Sequence, residues 1–213
     1  MYKRFFAVAI AAATLGSMAP KAHADTFDFA FAAHGVSGSV NLTYGTATDT
    51  RYANAFVVTG ISGTFSDQNI GISNVPIGLL IPRNFATPEP TNLLAPNSFS
   101  RFAVASGLPA ENHGVLSYDN LIWPAGSSPT ATDYQAHGGF LDIYGLLFSI
   151  GNNQVVNFWS NGDHGKGADY GVAVATSQAS LDYVGGGVAV PEPASMALLS
   201  IGLGLLGVIR RRA

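Results

Sequence analysis

The long apolar runs of this chain sit at its two ends, and that placement constrains everything between them. One run extends from Phe5 to about Met18 and the other from Ala194 to Ile209. The positive mean hydropathy therefore describes the ends and not the middle. The first run follows Met1-Tyr2-Lys3-Arg4 and leads into Ala22-His23-Ala24, with Asp25 next. A basic start, a short apolar stretch and small residues two apart are the three parts of a secretory signal peptide. At roughly 14 residues the run is shorter than the ~20 that a membrane-spanning helix needs. Cleavage between Ala24 and Asp25 is expected, so the division is a signal peptide at 1–24, an exported domain at 25–188 and a C-terminal segment at 189–213.

In that last segment Val190 precedes Pro191-Glu192-Pro193, then comes the apolar run, then Arg210-Arg211-Arg212. Each proline fixes φ, lacks an N–H and turns the residue before it away from helix. The peptide around Glu192 is thus expected to be extended and open to a processing enzyme. A run of roughly 16 residues makes a helix about 24 Å long, short for a hydrocarbon core and suited to temporary anchorage. The three arginines act as a stop-transfer signal and stay cytoplasmic under the positive-inside rule. Lys3 and Arg4 start on the same side, which places the middle of the chain outside the inner membrane.

Pro191, Glu192 and Pro193, the apolar run and the arginines, in that order, resemble the PEP-CTERM sorting signal of Gram-negative bacteria. The resemblance implies an exosortase substrate that is exported by the Sec machinery, held in the inner membrane before processing, and left at the cell surface or outside it after tail removal. A plain membrane anchor is the competing reading. Gly202, Gly204 and Gly207 form a G-x-G-x-x-G pattern, but no strand, helix and acidic residue follow in the order a dinucleotide site needs, and no cofactor is expected.

Without its ends the chain keeps four basic residues (Arg51, Arg83, Arg101 and Lys166) against twelve acids from Asp25 to Asp182. Nucleic acid is excluded as a partner, because phosphate binding needs clustered Lys and Arg. There is no cysteine, which removes thiolate zinc sites, cysteine nucleophiles and disulfide staples. Stability must come from a core.

The middle reads as β. Val36, Val40, Leu42 and Tyr44 fall on alternate positions, the period of a half-buried strand. Ala55–Val58, Gly60–Phe65, Leu116–Trp123, Phe140–Ile150, Val155–Ser160 and Tyr170–Thr176 continue the pattern. Gly151-Asn152-Asn153 separates two of these runs at hairpin spacing. The expected fold is all-β, an antiparallel β-sandwich or jelly-roll-like domain, with a signal helix before it and a single transmembrane helix after it. Pro76, Pro82, Pro88, Pro90, Pro96 and Pro109 break the stretch between them into a long irregular excursion; a short edge strand fits Ile77 to Ile81.

Four stretches resemble markers of a recurrent family of PEP-CTERM exported proteins: Val57-Val58-Thr59-Gly60-Ile61-Ser62-Gly63-Thr64, Asp119-Asn120-Leu121-Ile122-Trp123-Pro124, Leu141-Asp142-Ile143-Tyr144-Gly145-Leu146-Leu147-Phe148 and Val156-Asn157-Phe158-Trp159. The proline-rich excursion is longer than that pattern would have. The resemblance implies a small β domain without an assigned biochemical role, and no catalytic residue is carried over.

Candidate chemistry is thin. His137, Asp142, Asp163 and His164 could assemble a metal site, yet no H-x-H or H-E-x-x-H spacing supports one, and His34 and His113 also read as polar loop residues. Asn161 to Asp169 is rich in Asp, Asn and Gly but misses the calcium-loop spacing. No G-x-S-x-G nucleophile motif occurs before the tail. Trp123 and Trp159, with Tyr118, Tyr134, Tyr144 and Tyr170, offer a sugar-stacking platform, against the commoner use of strand aromatics in packing. The sequence thus predicts a non-enzymatic exported protein of the surface or extracellular matrix, associated with biofilm or exopolysaccharide by resemblance alone. A carbohydrate-binding module is the first alternative and a metal-dependent hydrolase the weaker one.

Overall fold

A computed structural model describes residues 24–49, 52, 54–83, 116–126, 138–163, 167–176 and 180–190. Met1 to Ala22, Pro191 to Ala213, His113, Tyr134, His137 and His164 lie outside them, so the expected signal and transmembrane helices and those side chains have no structural account. Among the described residues no helix is long and apolar enough to cross a membrane.

Phe27, Phe29 and Phe31 alternate with Thr26, Asp28 and Ala30, and the strand they form, β1 (Asp25–Ala33), buries the first set and exposes the second. His34 and Gly35, both at positive φ, turn the chain in two residues and start β2 (Val36–Thr48), which pairs from Val36↔Ala33 onward. Such left-handed pairs match the twist of a tight hairpin. Then follow β3 (Phe56–Asp67), a single 3-10 turn at Gln68–Ile70, and β4 (Ile72–Pro76). These strands make one sheet in the order β1-β2-β3-β4, with the two-residue β5 (Leu121–Ile122) pairing against β3. The second sheet is β6 (Leu146–Gly151), β7 (Gln154–Asp163), β8 (Ala168–Thr176) and β9 (Ser180–Ala189), again in chain order. Every pairing is antiparallel. The expected all-β antiparallel fold is thus present. Jelly-roll connectivity is not what the paired strands show: apart from β5, which returns to β3, neighbours in each sheet follow one another along the chain as meanders.

The sheets share one core. Phe29 and Phe31 from β1 stack on Phe158 from β7 at 5.4 and 4.8 Å between ring centroids, and Phe158 stacks on Tyr170 from β8 at 5.4 Å. Phe140 closes the cluster, 4.9 Å from Phe27 and 5.0 Å from Tyr170. Rings in such offset and tilted contact add to the large apolar area they bury.

Strands β6, β7 and β8 of the second sheet are buried on both faces, which alternation alone would not predict. Phe148, Val156, Phe158, Val172 and Val174 point into the shared core, while Leu147, Val155, Trp159, Ala173 and Ala175 pack with Leu116 and Tyr118 on the other side. That outer cover comes from Ile81, within the proline-rich excursion, and from Leu116 and Tyr118, beyond its last proline. Near the start of the excursion, Gly78 and Ile81 donate backbone hydrogen bonds to Ser149 and Leu147 of β6, and Leu80 bridges Phe148. The edge strand expected near Ile77 to Ile81 therefore exists as a short pairing along β6.

Two expected strands are cut short. Leu116–Trp123 yields only β5, because Asn120 takes φ 55°. Phe140–Ile150 yields strand only from Leu146, because Gly145 takes φ 66°. Both interruptions belong to one buried polar knot.

Candidate functional site

Asn120 is the centre of that knot. Its side chain accepts from the Leu147 N–H at 3.0 Å and donates to the Ile81 carbonyl at 2.8 Å. Its backbone N–H donates to Gly145 and its carbonyl accepts from Val58. Asparagine tolerates left-handed φ because its short amide can bond locally. Asp142 turns the facing segment, its Oδ1 accepting from the N–H groups of Tyr144 and Gly145 at 2.9 and 3.0 Å. Gly145 sits so close to β7 that a Cβ there would lie 2.1 Å from the Phe158 carbonyl oxygen. The Asn157 amide then donates to the carbonyls of Tyr144 and Leu146. The knot joins β3, the Ile77–Ile81 pairing, β6 and β7.

Asp119 and Asp142 meet inside it, 1% and 2% exposed. Burial pushes the Asp119 carboxyl well above the usual carboxylate range, and the Asp142 charge pushes it further; the Leu121 N–H and the Arg83 guanidinium pull the other way. Asp119 Oδ2 meets no N–H donor, so the contact is satisfied when one carboxyl keeps a proton. Two acids sharing a proton can serve catalysis, but neither carboxyl here presents surface to a substrate. What this arrangement does is fix the chain, with burial favouring the protonated form of Asp119.

A second acid pair joins the two sheets near the β1–β2 turn. Asp67, with no exposed surface, caps the 3-10 turn by accepting from the Asn69 N–H at 3.0 Å. The Asn69 amide donates to the His34 carbonyl and to Asp182 Oδ2 of β9, both at 2.9 Å. Burial, a hydrogen bond to the Asp182 carboxyl and its charge push Asp67 from 3.8 up to about 6. No sequence signal points to this pair, whose members lie on β3 and β9; Asp119 and Asp142 at least fall in two of the resembling stretches.

The residues singled out from the sequence fare differently. Trp123 is 1% exposed, packed with Ala55 and Leu121, with the Tyr52 ring edge-on at 6.3 Å. Trp159 is 8% exposed; its indole N–H donates to Asn161 and its ring stacks on Tyr183 at 5.8 Å. The expectation of glycan contacts at Trp123 and Trp159 is corrected by this burial, since stacking on a sugar needs an open ring face. Tyr118 and Tyr170 are also interior. Asp142 belongs to the knot, and Asp163 is exposed and accepts from the Gly167 N–H at 3.1 Å. Among the described residues no three His, Asp or Glu side chains gather in a metal-binding group. Ala24 is exposed, and Asp25, expected to follow signal cleavage, opens β1 opposite Tyr44.

The other end of the domain is as abrupt. Val188 and Ala189 pair with Tyr170 and Asp169 of β8, and Val190 still packs against the shared core. Pro191 is the next residue, so no linker separates the last packed side chain from Pro191-Glu192-Pro193. No curated protein and no solved structure matches the chain. A family model does match, the PEP-CTERM protein-sorting motif at residues 189–213. Residues 189–213 are therefore a PEP-CTERM sorting signal, which marks a protein sorted by exosortase to the envelope or surface of a Gram-negative bacterium, and it begins on the last paired residue of β9.

Proposed function

We propose that the protein is an exported, non-enzymatic β domain, delivered by the Sec route, held briefly in the inner membrane by its tail, and left at the cell surface or in the extracellular matrix once exosortase removes that tail. The single observation that carries this reading is the sorting motif at 189–213 running directly out of β9. The domain fits the role of displayed cargo. Its polar clusters are buried and tie strands together, and its acids outnumber its bases, which favours solubility outside the cell. Association with exopolysaccharide belongs to the same reading, because a matrix is where such cargo comes to rest. Binding to polysaccharide would have to use surfaces other than Trp123 and Trp159.

The test replaces Pro191, Glu192 and Pro193 by alanine in a host with an active exosortase, followed by fractionation. The replaced chain is expected to accumulate in the inner membrane while the native chain reaches the surface fraction. Equal surface delivery of both would overturn the reading. Polysaccharide pull-down on the surface material then tests the matrix association.

A further inference from the structure

The three glycines before the sorting motif interrupt β9. Along β8, Tyr170 pairs with Val188 and Val172 pairs with Val184. One β8 residue, Gly171, thus faces three on β9, Gly185, Gly186 and Gly187, which bulge out of the ladder. Gly187 has φ 79°, and a Cβ there would lie 2.7 Å from His34 Nε2. The bulge is steadied by the Asn161 amide, which donates to the Gly185 carbonyl, and by Asp169 Oδ1, which accepts from the Gly187 N–H. Beyond it, Val188 and Ala189 hold β8 through two pairings, with Val188 fully buried and Val190 packed on the core.

A glycine bulge is where a strand bends most freely. The segment after it carries what a processing enzyme lacks further on. Pro191 and Pro193 have no N–H, so backbone recognition upstream of the motif falls on Val188, Ala189 and Val190. An enzyme that holds its peptide extended pairs with main-chain groups, and in the folded domain β8 already occupies one edge of Val188 and Ala189.

We propose that Gly185–Gly187 is a hinge and Val188–Val190 a detachable strand end, which exosortase takes over from β8 as the upstream half of its substrate peptide. This rests on the sorting reading above and adds the recognition step. Tail removal then competes with docking of the strand end, and release lets Val188–Val190 return to β8.

The test uses the full chain, which has no cysteine of its own, in cells with an active exosortase. Asp169→Cys with Ala189→Cys joins facing residues of an antiparallel pair, at a separation a disulfide spans. The locked chain is expected to lose its tail at least tenfold more slowly than the Asp169→Cys and Ala189→Cys single variants, and a Gly-Ser-Gly-Ser insertion after Val190 should restore the rate. Removal from the locked chain at the single-variant rate would overturn the proposal. Val188→Ala, which loosens the strand end without a cross-link, should be processed at least twofold faster; an unchanged or slower rate counts equally against it. A native chain whose tail is never removed would sink the sorting reading and this inference together, whereas native removal with an ineffective lock sinks this inference alone.

Discussion

The knot around Asn120 and the end of β9 treat the chain in opposite ways. At the knot, segments far apart in sequence are bound by Asn120, Asp142 and Asn157, all buried and bonded to backbone. At the end of β9 two pairings and one buried valine hold the strand beyond a run of three glycines. Each interior bond is costly to break because the group left behind is out of reach of water. The strand end, by contrast, lies next to solvent and can re-form its bonds there. The difference assigns stability to the first region and processing to the second, and changes in one should leave the other's readout nearly untouched.

The largest effect should come from Gly145→Ala. Its Cβ would meet the Phe158 carbonyl oxygen at 2.1 Å, at a φ of 66° that alanine disfavours. A loss of about 4 kcal/mol or more is expected from backbone displacement and strain together, measured by urea denaturation of the mature protein. Asn120→Ala comes next. It leaves the Leu147 N–H and the Ile81 carbonyl without their partner and removes a residue suited to left-handed φ, for about 3 kcal/mol. If either change instead altered tail removal while sparing stability, the division between the two regions would fail.

A smaller effect is set by pH. Asp67, at about 6 in the fold against an ordinary 3.8, binds its proton more tightly when folded, and Asp119 is raised in the same sense by burial. The folded state therefore takes up protons as the pH falls, so this stabilisation is full below about pH 4 and is lost as pH rises through the folded values. Denaturation midpoints should decline from pH 4 to 7, against the usual trend of native carboxylates. Asp67→Asn should flatten the slope up to about pH 6, and Asp119→Asn should weaken the decline in the same sense. An unchanged slope in Asp67→Asn would show that the pair holds no shared proton. The smallest effect is expected from Asn69→Ala, which removes two exposed hydrogen bonds, to His34 and to Asp182. About 1 kcal/mol should be lost, with faster amide exchange along the first half of β9.

Much of this was legible before any coordinates. The alternation at Val40, Leu42 and Tyr44 reports strand β2, and Gly151-Asn152-Asn153 reports the β6–β7 hairpin, with Asn152 and Asn153 at φ 49° and 55°. The tail was legible because its physics is local: prolines, an apolar run and arginines act through their order along the chain. The knot was not, because Asp119 and Asp142 become partners only after two sheets form, and the turns that bring them together shorten both flanking strands. Trp123 and Trp159 misled for a related reason. An aromatic on a strand reads alike whether its face is open or covered, and the cover over the second sheet comes from Leu116 and Tyr118, in a stretch that itself reads as a strand.

The central claim is that this chain is cargo whose address is removed on arrival. Intact-mass measurement of the protein recovered from the cell surface tests it most directly. The account predicts a single species that begins at Asp25 and ends near Pro193, absent from cells lacking exosortase. A surface species that still carries Arg210, Arg211 and Arg212 would contradict it.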